Sequence, residues 1–115
     1  MLITDTTMSV LHSALSGLAQ RSRVTADNIA NVQTPGFLAG RTDFESALRG
    51  SLAAGETPAI NGGSVVRSLD PTRLDGNNVN LDAETVIATE TGLRYELGTR
   101  AMGDKFNLIR DALRP

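Results

Sequence analysis

The feature that most constrains this chain is a long amphipathic pattern brought to an abrupt stop. Met8, Leu11, Leu15, Leu18, Ser22, Thr25 and Ile29 recur every three or four residues. That is the period of a helix burying one face. The run ends in Asp27-Asn28-Ile29-Ala30-Asn31-Val32-Gln33-Thr34-Pro35-Gly36-Phe37. Pro35 disfavours the helical region for Thr34, so the spacing predicts a helix over 7–33. Gly36 supplies a free backbone at the turn, and Phe37 an apolar anchor after it. The amides of Asn28 and Asn31, three apart on one face, can tie the last turn to the departing chain.

Residues 34–79 read as a bend, a short helix and an extended arm. Phe44, Ala47 and Leu48 share one side of a short helical pattern that Thr42 or Asp43 can cap, fading by Gly50. Glycine and proline punctuate the stretch from Gly50 to Gly76, where Val65-Val66 suggests a strand and Asn61-Gly62 the turn of a small hairpin. Asn80 then caps a final helix expected over 80–114, with Asp82 and Glu84 in the first turn, where the helix dipole favours acids.

This last helix carries two apolar arcs. Val86, Leu93, Leu97, Ala101, Leu108 and Ala112 form one; Tyr95, Met102, Phe106, Ile109 and Leu113 form another, about 140° away on a wheel of 100° per residue. One arc can pair with the first helix. The chain has no third long helix for the other, which is therefore expected to meet a neighbour. Gly92, Gly98 and Gly103 interrupt the pattern, either as close-packing points or as kinks.

At 115 residues the chain is read as a single domain, 1–115. Its net charge of −2 with both signs interspersed gives no nucleic-acid footprint. Arg21, Arg23 and Arg41 are expected on solvated faces or in subunit contacts, and His12 on a solvated face. With no cysteine and one histidine, no metal site is expected, and no cofactor. Asp75-Gly76-Asn77-Asn78-Val79-Asn80 fails the EF-hand pattern and reads as a turn before a capped helix. Glu96 and Arg100 can pair on an exposed face. No catalytic constellation is visible, so an enzyme is not expected. No secretory signal or membrane-spanning run is visible either, which alone would give a cytoplasmic address.

Asn28-Ile29-Ala30-Asn31, two residues, then Thr34-Pro35-Gly36-Phe37, resembles the N-terminal signature of the axial proteins of the bacterial flagellum, the rod, hook and hook-associated proteins. Asp75-Gly76-Asn77-Asn78-Val79, then Glu84, Leu93-Arg94-Tyr95-Glu96, and Lys105-Phe106 with Leu108 and Leu113, is similar to the proximal rod proteins of that family. The resemblance covers roughly residues 9–49 and 74–113. It implies an all-α fold, two long terminal helices packed as a coiled-coil-like hairpin with an irregular loop or small β-hairpin arm between them. It implies a structural subunit that polymerises helically into a torque-transmitting shaft. The implied partners are copies of itself, other rod proteins, the rod–ring adaptor and membrane ring, and the type III export apparatus in transit. Nucleic acid and membrane insertion are not implied. The implied location is the basal body, assembled in the periplasm after export without a cleaved signal.

On this reading Leu11, Leu15, Leu18 and Ile29 pack within the subunit against Val86, Leu93, Leu97 and Leu108. Tyr95, Met102, Phe106, Ile109 and Leu113 meet neighbours. Asn28, Asn31, Thr34, Pro35, Gly36 and Phe37 shape the bend. The rivals are another axial component, or a small helical secretion chaperone.

Overall fold

The structure, a computed structural model, describes residues 5–58 and 63–115. Along the chain come α1 (Thr6–Ala30), β1 (Gly40–Thr42), α2 (Phe44–Ala53), β2 (Val65–Arg67) and α3 (Leu81–Ala112). The Asn61-Gly62 turn lies outside the described residues.

Local chemistry sets the helix ends. The Asp5 carboxylate caps α1 by accepting the Met8 N–H at 2.8 Å. The helix stops at Ala30, slightly before the expected boundary, because short-range backbone bonds bend the next residues into turns. Val32 N–H donates to the Ile29 carbonyl, Thr34 to Asn31 and Phe37 to Thr34. The Asp43 carboxylate caps α2, accepting the Ser46 N–H at 3.3 Å and its hydroxyl at 2.7 Å. That helix runs past Gly50 to Ala53. Asn80 caps α3 through the Ala83 N–H.

The two long helices run antiparallel. Asn28 meets Glu84 near one pole, and Asp5 meets Lys105 near the other at 2.9 Å. β1 and β2 form an antiparallel ribbon in the register Gly40–Arg67, Arg41–Val66 and Thr42–Val65. The connection between these strands carries α2. β1 and α2 lie on α1, giving a slender body of 67 × 27 × 15 Å. Its radius of gyration, 17.6 Å, exceeds the roughly 13 Å of a compact chain of this length.

Among the described residues the buried apolar side chains are few: Met8, Leu18, Ala39, Phe44 and Val79. Buried polar ones outnumber them, namely Ser13, Thr25, Asn28, Ser68, Asn77, Asn78, Glu84 and Thr91. Hydrogen-bond satisfaction therefore matters at least as much here as apolar burial.

The face of α3 that meets α1 differs from the expected one. Glu84 and Thr91 are buried, and Ile87, Gly98, Met102, Lys105 and Ile109 are half-buried, all spaced by multiples of one helical turn. Val86, Leu93, Leu97 and Leu108, expected to pack on α1, are 64–69% exposed. Two causes are visible. The Glu84 carboxylate is anchored inside the molecule, and Leu15 sits over Gly98, where an added Cβ would fall 2.9 Å from Leu15 Cδ2. Both fix the rotation of α3 about its own axis and turn the leucine arc outward. Met102 and Ile109, expected to meet neighbours, sit instead on the α1 side. α3 remains one continuous helix through Gly92, Gly98 and Gly103.

Space is equally decisive at Gly17. A Cβ there would lie 2.3 Å from the Phe44 ring, so the glycine is the notch that seats α2 on α1. Gly17→Ala should overpack this contact and lower stability by about 1–3 kcal/mol, read as a fall in melting temperature. Shrinking the partner with Phe44→Leu in the same chain should recover part of the loss; strictly additive effects would refute the notch.

Candidate functional site

The bend motif folds into a polar knot against the residues that start α3. Asn28, 1% exposed on the last turn of α1, is its centre. Its Oδ1 accepts the Gly40 N–H at 2.8 Å, and its Nδ2 donates to the Gly40 carbonyl at 3.0 Å and to Glu84 Oε2 at 3.1 Å. One amide thus satisfies both backbone groups of a β1 residue and touches α3. The other Glu84 oxygen accepts from Arg41 Nη1 at 2.6 Å. The carboxylate is fully buried while the Arg41 side chain remains a third exposed. Glu84, expected to serve the helix dipole, is an internal anion, and Arg41 is its counter-ion, not a solvated cation.

Two consecutive asparagines clamp the far side of the bend. Asn77 Nδ2 donates to the carbonyls of Asn31 and Thr34 at 2.8 and 2.9 Å, while its Oδ1 accepts the Val79 N–H. Asn78 Oδ1 accepts the Ala39 N–H at 2.7 Å, and its Nδ2 reaches the carbonyls of Ser68 and Asp70. Arg73 donates to the carbonyls of Val32 and Val79. These side chains satisfy the backbone that α1 and the ribbon leave unpaired. Gly36 and Gly76 face each other there with φ of 73° and 80°. Both angles favour glycine, and at Gly76 the fit is also close, since a Cβ there would stand 3.3 Å from the Gly36 Cα.

Each motif residue has a place in this arrangement. Asn31 binds the Asp27 carbonyl and carboxylate through Nδ2, and accepts the Thr34 hydroxyl through Oδ1. Pro35 is exposed at the tip of the turn, and Phe37 lies half-buried under the Arg67 guanidinium, 5.4 Å from the ring centroid. On α1, Leu18 is buried and Leu11, Leu15 and Ile29 are half-buried. Outside the knot, Tyr95, Phe106 and Leu113 are 44%, 54% and 79% exposed, on the flank of α3 away from the outward leucine arc. The contributions of Arg41, Glu84, Asn77 and Asn78 escape periodicity arguments. Their one visible signal is two adjacent asparagines next to a positive-φ glycine, more amide chemistry than a plain turn requires.

Nothing in this geometry is poised for reaction. A cavity of about 220 Å³ gathers Arg21, Arg41 and Arg94. Each cation is already paired: Arg21 with Glu45, Arg41 with Glu84, and Arg94 with Glu90 and Glu45. Among the described residues no group of three potential ligands could hold a metal ion, and no helix is long and apolar enough to cross a membrane. The arrangement fixes backbone and aims surfaces.

Removing Arg41 should be the most damaging change to the knot, because it strands a buried carboxylate. Arg41→Met is expected to cost about 3–5 kcal/mol in urea unfolding, and a second change, Glu84→Gln, should return much of it. Equal stability of wild type and Arg41→Met would contradict this account of the pair.

Acid should loosen α2 and the start of α1 for a related reason. Burial opposes ionisation of Glu45, but the Arg21 guanidinium, donating to both oxygens at 2.6 Å, outweighs it and holds the carboxyl below its ordinary value. The Met8 N–H and then Lys105 lower Asp5 in the same direction. A depressed folded value stabilises above the ordinary carboxylate range and is lost as pH falls through it. Melting temperature should therefore drop on acidification, and Glu45→Gln should flatten that acid limb.

Comparison with known proteins agrees with this geometry. The family model described as "Flagella basal body rod protein" matches residues 8–37, from α1 through the bend. The flagellar basal body rod protein FlgB of Borrelia hermsii is 30% identical, over 93% of this chain and 95% of the relative. FlgB of Salmonella typhimurium is 28% identical, over 95% and 94%, and that of Bacillus subtilis 29%, over 93% and 92%. Long helices locked by a polar bend with apolar rows left outside suit a building element, and the chain belongs to the FlgB family of flagellar basal body rod proteins, which makes it a structural component of the rod and not an enzyme.

Proposed function

We propose that copies of this chain stack helically in the proximal part of the rod, joined to each other and to further rod proteins through the outward rows of α3. The observation that carries this reading is the exposure of Val86, Leu93, Leu97 and Leu108 at 64–69% along one face of α3, with Tyr95 and Phe106 exposed on another flank of the same helix. Met102 and Ile109 belong to the internal face, which leaves Tyr95, Phe106 and Leu113 with the leucines as the interface.

Magnitudes favour a lattice over a dimer. Burying four such side chains yields at most roughly 6–12 kcal/mol. Association alone costs about 4–15 kcal/mol. One pairwise contact is then weak, whereas a copy held by several neighbours at once is firmly placed. Weak pairs also suit a subunit that travels through the type III export apparatus and assembles in the periplasm, where the rod–ring adaptor and membrane ring would adjoin it. Bending or twisting such a shaft strains many close-packed contacts together, which is the stiffness that torque transmission needs.

Leu97→Asp and Phe106→Asp place charge on these rows without touching the knot. Both variants should be expressed at normal levels, be missing from isolated basal bodies and leave cells non-motile. Normal swimming and normal rod incorporation for both would overturn the reading.

A further inference from the structure

The segment between β2 and α3 carries the most exposed apolar side chains of the described residues. Leu69 is 97% and Leu74 110% exposed, on either side of Asp70 and Pro71. This exposure is not slackness. Asn78 holds the Ser68 and Asp70 carbonyls, and Ser68 Oγ accepts the Asp70 N–H. The Arg73 N–H donates to the Asn77 carbonyl at 2.8 Å, and the Asp75 carbonyl accepts from Gly36. A bolted loop thus holds two leucines in water.

A matching recess lies elsewhere on the same molecule. Between α1 and α3, Leu18, Ala19, Ser22, Ala88, Gly92 and Tyr95 border an open groove of about 310 Å³. Its lining is mainly apolar, and it is larger than the ~150 Å³ engineered void that takes up benzene. Gly92 has no atom within 4 Å of where its Cβ would stand, so the floor there is bare backbone. Arg23 is exposed on α1 one helical turn after Ala19, on the same side of the helix as that lining residue. Among the described residues neither Arg23 nor Asp70 enters an ion pair. Asp27, a turn beyond Arg23, is engaged by Asn31.

We propose that the Leu69–Leu74 loop of one copy docks in the α1–α3 groove of a second copy, a leucine entering over Gly92 and Asp70 pairing with Arg23. Knob and recess occupy different places on one surface, so the contact is head-to-tail, and such contacts propagate as open helices when the rotation does not close. Charge complementarity selects this occupant: the knob has an unpaired anion between its leucines, and an unpaired cation stands one helical turn from the groove's lining. The proposal rests on the polymer reading above and adds which surfaces meet.

The test uses the absence of cysteine in the chain. Leu74→Cys and Gly92→Cys, introduced together into a strain lacking its own copy, supply the subunit's only thiols. Basal bodies isolated after mild oxidation should contain a cross-linked dimer of this chain that neither single variant forms. Incorporated subunits with no such dimer, or a loop thiol joined to a different basal-body chain, would overturn the docking while leaving rod membership intact. A wild-type chain missing from basal bodies would instead sink the polymer reading.

Charge exchange probes the same contact at exposed positions that the fold does not use. Arg23→Glu and Asp70→Arg should each cut swimming speed or rod yield at least several-fold, and the double exchange should restore most of it. Wild-type behaviour of both single variants, or no recovery in the double, overturns the pairing.

Discussion

A carboxylate enclosed at the meeting point of three elements governs this molecule. Glu84 lies at the start of α3 with no solvent exposure, and its two oxygens are divided between Arg41 on β1 and Asn28 on α1. Without both partners such a charge would be far too costly to bury. The condition is strict in angle as well as distance. α3 can supply its carboxylate only at one rotation about its own axis, so satisfying Glu84 decides which residues of the following turns look inward. The thin apolar seam of Leu15, Leu18, Ile87 and Met102 lacks the bulk to choose that rotation alone.

The consequence runs from chemistry to assembly. A helix chosen by apolar burial would hide its leucines and present a polar back. Here the inward line is Glu84, Thr91 and Gly98, and the leucines remain for other molecules. The knot of Asn28, Asn77 and Asn78 works to the same end by binding the backbone of Asn31, Thr34, Ala39 and Gly40, so the angle between α1 and the rest is set by hydrogen bonds. For a subunit placed in a lattice, direction of surfaces matters more than depth of core.

Sequence patterning anticipated much of this and missed one turn of a wheel. Helix starts at Asp43 and Asn80, the stop before Pro35, the Val65-Val66 strand and the Glu96–Arg100 pair follow from local rules, and all are present. The orientation of α3 was not legible, because the wheel weights apolar residues while the deciding contacts are made by a glutamate and a glycine. Arg41 and Glu84 stand 43 positions apart, and Asn77 reaches Asn31 across 46. Nothing local announces such pairings. A row of leucines on a helix with two apolar arcs says that both are needed somewhere, not which belongs to the chain itself.

Both ends of the described chain lie at the pole opposite the knot, where Lys105 reaches across to Asp5 over a separation of 100 residues. Contacts between α1 and α3 therefore close loops that lengthen steadily from the bend outward. Such a hairpin zips up from its bend and frays from its tips, because the longest closures gain least and form last. Traction on either terminus from that pole opens the pair rung by rung, whereas load applied across the flank meets all rungs simultaneously. One and the same molecule is thus easy to unthread from its tips and hard to deform from the side.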